Sequence, residues 1–148
     1  MFLSDMSIKR VIESGSVVIT PFNPENIQSN SYLLTVRGNH IVNYLQHINV
    51  WTKEYIEVPT CMLGILTART SIARKGMFFT TSIGIDAGFK GNLVIEFFNV
   101  NREPFILNDG DKIVHLLLAL TTTECTPYSG KYQGQRCGSG LENISDNR

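Results

Sequence analysis

The chain has 148 residues, of which 43% are hydrophobic, and its 13 basic residues balance its 13 acidic ones. This length predicts a single domain over residues 1–148 and leaves no room for a second one of similar size. A net charge of zero argues against non-specific binding to nucleic acid or to membrane surfaces, because proteins that bind in this way carry a basic excess. No apolar run reaches transmembrane length and no signal peptide opens the chain, so we expect a cytoplasmic protein.

The predicted elements begin with an amphipathic helix that has Ser4 as its N-cap and ends at Gly15. Beyond it, β-branched and apolar runs are separated by Gly, Asn and Pro, which predicts short strands. The predicted strands cover residues 16–19, 31–36, 40–44, 54–58, 62–66, 93–99 and 112–120. Only residues 70–75 interrupt them as a second short helix. Because repeated helices are missing, a mainly β sandwich or distorted barrel is favoured over a βαβ sheet.

The most informative stretch surrounds the second predicted helix and the strand after it. Hydroxyl and guanidinium groups cluster at the start of that helix, on Arg69, Thr70, Ser71 and Arg74. Such groups suit a phosphate, although Thr70 and Ser71 are also ordinary helix caps. Glu96 lies in an apolar strand, where it is either a solvent-facing side chain or a group for proton transfer. Together these residues predict a phosphorylated small molecule with acid/base chemistry at its other end.

Two further segments offer candidate ligand contacts. Asp86 precedes Gly88 on a Gly-rich turn, where it either shapes the turn or contacts a ligand. Phe89 packs either in the core or against a ligand. The tail, residues 128–148, is polar and Gly-rich without a periodic apolar face, so we predict a flexible lid that closes over an anionic ligand. Its candidate contacts are Tyr128, Lys131 and Gln135.

In order and register, these motifs resemble the dCTP deaminase branch of the trimeric dUTPase-like superfamily. Residues 69–74, Arg-Thr-Ser-Ile-Ala-Arg, are similar to the Arg-Ser-Ser-Leu-Ala-Arg of that family. Residues 85–91, followed by Glu96, look like its Asp-x-Gly-(aromatic)-x-Gly and Leu-Glu motifs, and residues 131–135 are similar to its Lys-Tyr-x-x-Gln. The resemblance implies a distorted, jelly-roll-like β-barrel of the dUTPase type with short helices. It also implies a homotrimer with active sites at the subunit interfaces.

The resemblance further implies hydrolytic deamination of dCTP to dUTP and ammonia, with Mg²⁺ bound through the nucleotide triphosphate. By position, Glu96 matches the glutamate that shuttles the proton from water, and Thr70 and Arg74 match the groups that hold this water and the base. Asp86 matches an aspartate near the sugar, and Phe89 follows it on the same turn. The positions that match phosphate contacts are Arg69, Ser71, Tyr128, Lys131 and Gln135.

Cysteine and histidine positions predict a site without a protein-bound metal. The three cysteines include no close pair, and none of the three histidines has Glu two positions later. Zinc-dependent nucleobase deaminases need both a His-x-Glu and a Cys-x-x-Cys. If this protein deaminates a nucleotide, it does so without that zinc chemistry.

Two positions depart from the family pattern. Leu33 replaces the aspartate of the family's Ser-Tyr-Asp, and Thr70 replaces its catalytic serine while keeping the hydroxyl. The loop over residues 76–86, which faces the base, is one residue shorter. Three alternatives therefore stay open: a dUTPase, a bifunctional enzyme that gives dUMP and pyrophosphate, and a non-catalytic nucleotide-binding relative.

Overall fold

A computed structural model describes residues 1–79, 82 and 84–137 of the chain. The first element is the predicted helix, α1 (Asp5–Glu13), in which Ser4 acts as the N-cap and its side chain accepts a hydrogen bond from the Ser7 N–H. Ile8 is fully buried on the inner face of this helix. Gly15 ends the helix with a φ of +74°, a conformation that glycine adopts at little cost. Neither described helix has the length and apolar character needed to cross a bilayer.

Antiparallel strands of two to eleven residues make up much of the remaining described chain. In chain order they are β1 (Val18–Thr20), β2 (Ile27–Gln28), β3 (Ser31–Thr35), β4 (His40–Val42), β5 (His47–Glu57), β6 (Met62–Ala68), β7 (Met77–Phe79), β8 (Gly84–Ile85), β9 (Lys90–Asn99), β10 (Phe105–Leu107) and β11 (Lys112–Leu120). A 3₁₀ turn (Pro24–Asn26) precedes β2, and the second helix, α2 (Thr70–Ala73), follows β6. The prediction of a mainly β fold with short helices is confirmed.

The strands form two large sheets and one small ribbon. One sheet has the order β1-β5-β9-β7, the other has the order β2-β3-β11-β6-β8, and β4 pairs with β10. Along β9, Ile95 and Phe97 are fully buried, whereas Val94 and Glu96, which alternate with them, point outward and are half-buried. Inward residues of both large sheets join one hydrophobic core. Period-two alternation therefore decides which side chains are available to a ligand.

The largest difference from the predicted strands concerns β5, of which only residues 54–58 were predicted. The strand begins at His47, and its register with β9 shifts between Trp51 and Tyr55. Three consecutive residues near this irregularity, Val50, Trp51 and Thr52, are buried, which breaks the polar–apolar alternation. Strands β2, β7, β8 and β10 were not predicted, since each has only two or three residues and none lies within a longer apolar or β-branched run.

A buried carboxylate joins β3 to β5. Glu54 is 2% exposed, and its two oxygens accept hydrogen bonds from the Thr35 N–H at 2.9 Å and from Thr35 Oγ1 at 2.7 Å. Burial raises the pKa of Glu54 above the usual value of 4.5, and this effect exceeds the opposing effect of the two hydrogen bonds. Thr52 Oγ1 donates to the Glu54 carbonyl and accepts from the Leu93 N–H, which extends the network to β9.

Candidate active site

A cleft of about 440 Å³ opens beside β9, and its lining comes from β5, from β8 with the turn after it, and from the tail. Five predicted site residues line it, and we call them the cleft group: Asp86, Phe89, Glu96, Tyr128 and Gln135. They come from the turn before β9, from β9 itself and from the tail, and the fold brings these three segments together. The cleft also contains residues that the sequence analysis missed, among them Asn49, Leu66, Ser82, Val94 and Tyr132.

Glu96 is presented to the cleft by a well-anchored strand. Its neighbours Ile95 and Phe97 are fully buried on the opposite face of β9, which fixes the backbone beneath the carboxylate. Glu96 itself is half-buried and faces Asn49 of β5 across the strand pair. The interpretation of Glu96 as an ordinary solvent-facing residue is therefore disfavoured, because its side chain lines a cavity with Leu93 and Val94.

The turn between β8 and β9 places Asp86 and Phe89 at the cleft. The Phe89 N–H donates to the Asp86 carbonyl at 3.1 Å, which closes the turn. Gly88 adopts a φ of +81°, and a Cβ at this position would lie 2.7 Å from Pro127, so only glycine fits. Phe89 is 6% exposed, and its ring packs against Tyr128 at a centroid distance of 5.9 Å. Phe89 thus belongs to the core and to the cleft wall at once.

The described part of the tail, residues 128–137, is docked along the start of β9. Gln133 accepts from the Lys90 N–H at 2.8 Å and donates to the Gly88 and Tyr128 carbonyls at 2.8 and 2.9 Å. Gln135 donates through Nε2 to the Asn92 carbonyl at 2.8 Å, and its own carbonyl accepts from the Asn92 N–H at 2.9 Å. The segment has no periodic apolar face, and polar contacts hold it instead. Amide and backbone hydrogen bonds hold it, and hydrophobic periodicity does not reveal them.

A second set of contacts holds the end of the described tail. The Arg136 guanidinium lies 4.1 Å from the centre of the Tyr55 ring. Tyr55 donates to Glu57 at 2.9 Å, and Lys90 forms an ion pair with Glu57 at 3.2 Å. The hydrogen bond from Tyr55, followed by Lys90, lowers the pKa of Glu57. Residues 138–148, the rest of the predicted lid, lie outside the described residues, so the lid itself stays a prediction.

The other predicted residues do not line this cleft. We call Arg69, Thr70, Ser71 and Arg74 the α2 group. Thr70, Ser71 and Arg74 are exposed, and Arg69 Nη1 donates to the Lys112 carbonyl at 2.9 Å. Arg69 is the N-cap residue and no side chain caps α2, so the interpretation of Thr70 and Ser71 as caps is wrong. Lys131 is exposed and lies outside the cleft lining, with Nζ 5.5 Å from the centre of the Tyr132 ring.

A histidine that the sequence analysis did not select lies close to the α2 group. His115 of β11 pairs with Thr67 of β6, two positions before Arg69, and its Nδ1 lies 2.8 Å from Ser31 Oγ. Burial lowers the pKa of His115, and the nearby Arg69 guanidinium lowers it further. The lowered pKa favours the neutral form of His115, so the positive charge at this place comes from Arg69, a side chain that suits a phosphate ligand.

Protein side chains alone do not form a metal cage in the described part of the chain. Among residues 1–79, 82 and 84–137, no group of three or more His, Cys, Asp or Glu side chains is placed to hold a metal ion. Asp86 and Glu96 are the carboxylates among the described residues that line the cleft. Mg²⁺ commonly uses one or two protein carboxylates together with substrate phosphates and water, and this donor set fits that pattern.

Comparison with known proteins agrees with this architecture. A family model described as dCTP deaminase-like matches residues 46–121. The chain is 32% identical to a "dCTP deaminase, dUMP-forming" of Persephonella marina over 92% of this chain and 93% of that protein. It is 35% identical to a probable deoxyuridine 5'-triphosphate nucleotidohydrolase of Sulfolobus islandicus rod-shaped virus 1, over 92% of this chain and 95% of that one.

Solved structures share the fold. A 2'-deoxycytidine 5'-triphosphate deaminase from Agrobacterium tumefaciens superposes with a TM-score of 0.71 at 13% identity, over 81% of this chain and 48% of that chain. The dUTPase of EIAV superposes with a TM-score of 0.62 at 20% identity, over 78% of this chain and 97% of that chain. The molecule is thus a β protein of the dUTPase-like fold. Within that class, the chain belongs to the dCTP deaminase-like family.

Proposed function

We propose that this protein deaminates dCTP to dUTP and ammonia, with Glu96 as the proton shuttle. The observation that carries the proposal is a carboxylate on a rigid strand that projects into a cleft with Asp86, Phe89, Tyr128 and Gln135. Relatives named dCTP deaminase, such as that of Desulfurococcus amylolyticus at 32% identity, support it. The prediction made from sequence motifs and the grouping found in the fold lead to the same reaction.

The reaction requires one water, whose two protons end on N3 and on the leaving amino group. In the proposed mechanism, water gives a proton to Glu96 and its oxygen attacks C4 of cytosine while Glu96 passes this proton to N3, forming a tetrahedral intermediate. Glu96 then takes the second proton from the new C4 hydroxyl and delivers it to the amino group, which leaves as ammonia as the C4 carbonyl forms. The apolar side chains of Leu66, Leu93 and Val94 line the same cleft and limit the access of bulk water.

The α2 group completes the site from a neighbouring subunit in the proposed homotrimer. Its hydroxyls and the Arg74 guanidinium are exposed in the single chain and serve no cap, so they are available to a second copy. A ring in which each subunit presents α2 to the next cleft is a closed head-to-tail assembly. There, Thr70 and Arg74 would hold the water and the base, and Arg69 and Ser71 would contact phosphate.

The remaining predicted residues receive roles in substrate binding. We assign Asp86 to the sugar and Phe89 to packing against the sugar or the base, because both lie on the turn that borders the cleft. Tyr128, Lys131 and Gln135 are assigned to the triphosphate. Gln135 already lines the cleft in the docked tail, whereas the role assigned to Lys131 requires the tail to shift, because its side chain lies outside the cleft lining.

Mg²⁺ is proposed to enter with the nucleotide. When bound, it would neutralise charge on the triphosphate, and Asp86 is the side chain best suited to approach it. Asp86, Tyr128 and Gln135 then orient the nucleotide so that its base reaches Glu96.

A dUTPase step is the second candidate function. Asp86 lines the cleft together with Glu96, and one relative at 35% identity is named as a probable deoxyuridine 5'-triphosphate nucleotidohydrolase. A carboxylate in this position can orient a water toward a phosphate, as general base catalysis requires. A protein with both activities would release dUMP and pyrophosphate from dCTP.

Separate incubations with dCTP, dUTP and dCMP, each with Mg²⁺, test these functions. Nucleotides, pyrophosphate and ammonia are then resolved and quantified. Equal amounts of dUTP and ammonia from dCTP support the deaminase, and dUMP with pyrophosphate from dCTP supports the bifunctional enzyme. If only the incubation with dUTP gives products, namely dUMP and pyrophosphate, the protein is a dUTPase. Tight nucleotide binding without any product would identify a non-catalytic relative.

A further inference from the structure

We propose that Asn49 contacts the group at C4 of the pyrimidine, a role that rests on the proposed function. Asn49 of β5 is the direct partner of Glu96 of β9 in the antiparallel register, and both residues line the cleft. Side chains directly opposite each other in such a pair project from the same face, with Cβ atoms about 5 Å apart. A nucleotide whose C4 atom meets Glu96 therefore places its C4 substituent within reach of the Asn49 amide.

The Asn49 amide is available for such a contact. Its side chain is exposed, and it makes no hydrogen bond with the described residues. On the same face of the sheet, the pairs on either side are His47 with Phe98 and Trp51 with Val94, and three of these four side chains are apolar or aromatic. Asn49 therefore provides the polar group opposite Glu96 on this part of the surface.

An amide suits both the substrate and the product of deamination. The 4-amino group of cytosine donates hydrogen bonds, whereas O4 of uracil only accepts them. Asn49 can accept through Oδ1 and, after rotation about χ2, donate through Nδ2. A carboxylate at the same position accepts but cannot donate, and a leucine of similar size does neither. These three side chains thus give three different expectations for the binding of dCTP and dUTP.

The test measures binding in the Glu96→Gln background, where deamination is blocked, with α,β-imido analogues of dCTP and dUTP that also resist a dUTPase step. Calorimetric titration with each analogue in the presence of Mg²⁺ compares this protein with versions that also carry Asn49→Asp or Asn49→Leu. With Asn49→Asp, the affinity for the dUTP form should fall about tenfold more than the affinity for the dCTP form, because only O4 of uracil loses a hydrogen-bond donor. With Asn49→Leu, the affinities for both forms should fall, each by about tenfold.

His47→Asp in the same background is the matched control. His47 lies on the same face of β5, two residues away, and is not among the residues that line the cleft. The His47→Asp substitution adds a negative charge near the site, and it should leave the ratio of dCTP affinity to dUTP affinity unchanged. Circular dichroism and thermal melting verify that each variant is folded.

The outcomes separate this inference from the proposed function. Unchanged binding by both Asn49 variants, or an equal loss for dCTP and dUTP on Asn49→Asp, overturns the role of Asn49. Wild-type protein that binds dCTP but does not deaminate it contradicts the proposed function alone, because the affinity ratio can still be measured. Wild-type protein that binds neither nucleotide overturns both.

Discussion

Two glutamates in one sheet show how strand alternation separates reactive from structural carboxylates. Glu96 points outward from β9 and lines the cleft, whereas Glu54 of β5 is 2% exposed and is held by the Thr35 N–H and hydroxyl. Of the two, only Glu96 lines the cleft. The raised pKa of Glu54 therefore signals a structural group rather than a second proton-transfer residue.

We predict that Glu96→Gln lowers the rate of deamination by roughly a thousandfold, a typical loss when a general acid–base group is removed. The amide has the shape of the carboxylate but cannot accept the proton of the attacking water. Folding and dCTP affinity should be nearly unchanged, because the neighbouring residues Ile95 and Phe97 stay buried. Ammonia release and calorimetric binding are the measurements. Near-normal ammonia release from the folded variant would remove Glu96 from the mechanism.

We predict that Glu54→Gln makes the protein more stable than wild type at alkaline pH. Because burial raises the folded-state pKa of Glu54, its protonated form is favoured, and its stabilising contribution is complete below the usual pKa of about 4.5. That contribution is lost as the pH rises through the folded-state value. Melting temperatures from pH 4 to pH 9 should show the variant gaining roughly 3 °C over wild type across this range.

Glu57→Gln on the same strand is the matched control with the opposite sign. The hydrogen bond from Tyr55 lowers the pKa of Glu57, so its contribution is present above the usual pKa and is lost as the pH falls through the folded-state value. The melting temperature of wild type should therefore exceed that of the Glu57→Gln variant most at neutral and alkaline pH. A Glu54 variant that follows the same trend as the Glu57 variant would contradict the assigned direction.

At the scale of elements, glycine residues adapt the start of β9 to the tail. A Cβ at Gly91 would lie 2.8 Å from the Gln135 carbonyl oxygen and 3.1 Å from Phe89. Gln135 could not keep its backbone hydrogen bond with Asn92 against such a contact. The tail is therefore docked by close approach of backbone to backbone, which requires the absence of a side chain at this position.

We predict that Gly91→Ala displaces the tail. Trypsin should cleave after Lys131 about tenfold faster than in wild type, because the conformation in which the tail has left β9 becomes more populated. The KM for dCTP should rise, since Gln135 leaves the cleft. Timed proteolysis with mass spectrometry and steady-state kinetics measure these two effects.

Gly84→Ala is the control for the proteolysis of the tail. A Cβ at Gly84 has open space around it, with no described atom within 4 Å, so the protection of Lys131 should be unchanged. If Gly91→Ala leaves both the cleavage rate and the KM at wild-type values, the docked position of the tail has no part in substrate binding.

The same elements show what the sequence can predict. Strands β3, β9 and β11 were predicted because their apolar runs are long, and α1 was predicted because its cap and stop residues are ordinary ones. The first half of β5 was missed, and with it Asn49, because the buried residues at its irregularity disturb the alternation. Motif resemblance selected Gln135 but not Gln133, although both amides hold the tail. Such polar docking depends on the fold and leaves no periodic pattern.

At the scale of the whole molecule, the predicted site is divided between two places. The cleft group surrounds one cavity, whereas Thr70, Ser71 and Arg74 of the α2 group are exposed outside it. The sequence motifs predict both groups as site residues. They do not show whether one subunit or two subunits supply them to the same active site. The proposed head-to-tail homotrimer would reconcile the two observations, because each active site would then take Glu96 from one subunit and Arg74 from the next.

This arrangement makes a specific prediction for mixed trimers of Glu96→Gln and Arg74→Ala. Each variant alone should be nearly inactive. In trimers reassembled from equal amounts, a site is intact when its cleft comes from the Arg74 variant and its α2 group from the Glu96 variant. Random assembly makes roughly a quarter of the sites intact, so about a quarter of the wild-type deamination rate should return. The measurement is ammonia release, with light scattering to confirm the trimer.

Mixing two variants that affect the same group provides the control. Arg74→Ala combined with Thr70→Val places both defects in α2, and every site then receives a defective α2 group whichever subunit supplies it. Activity should therefore stay low in this mixture, although the trimers form equally well. Recovery only in the Glu96 and Arg74 mixture supports shared sites. A fully active monomer, or no recovery in any mixture that forms trimers, would mean that each chain builds its site from its own residues, with α2 moving toward the cleft when the nucleotide binds.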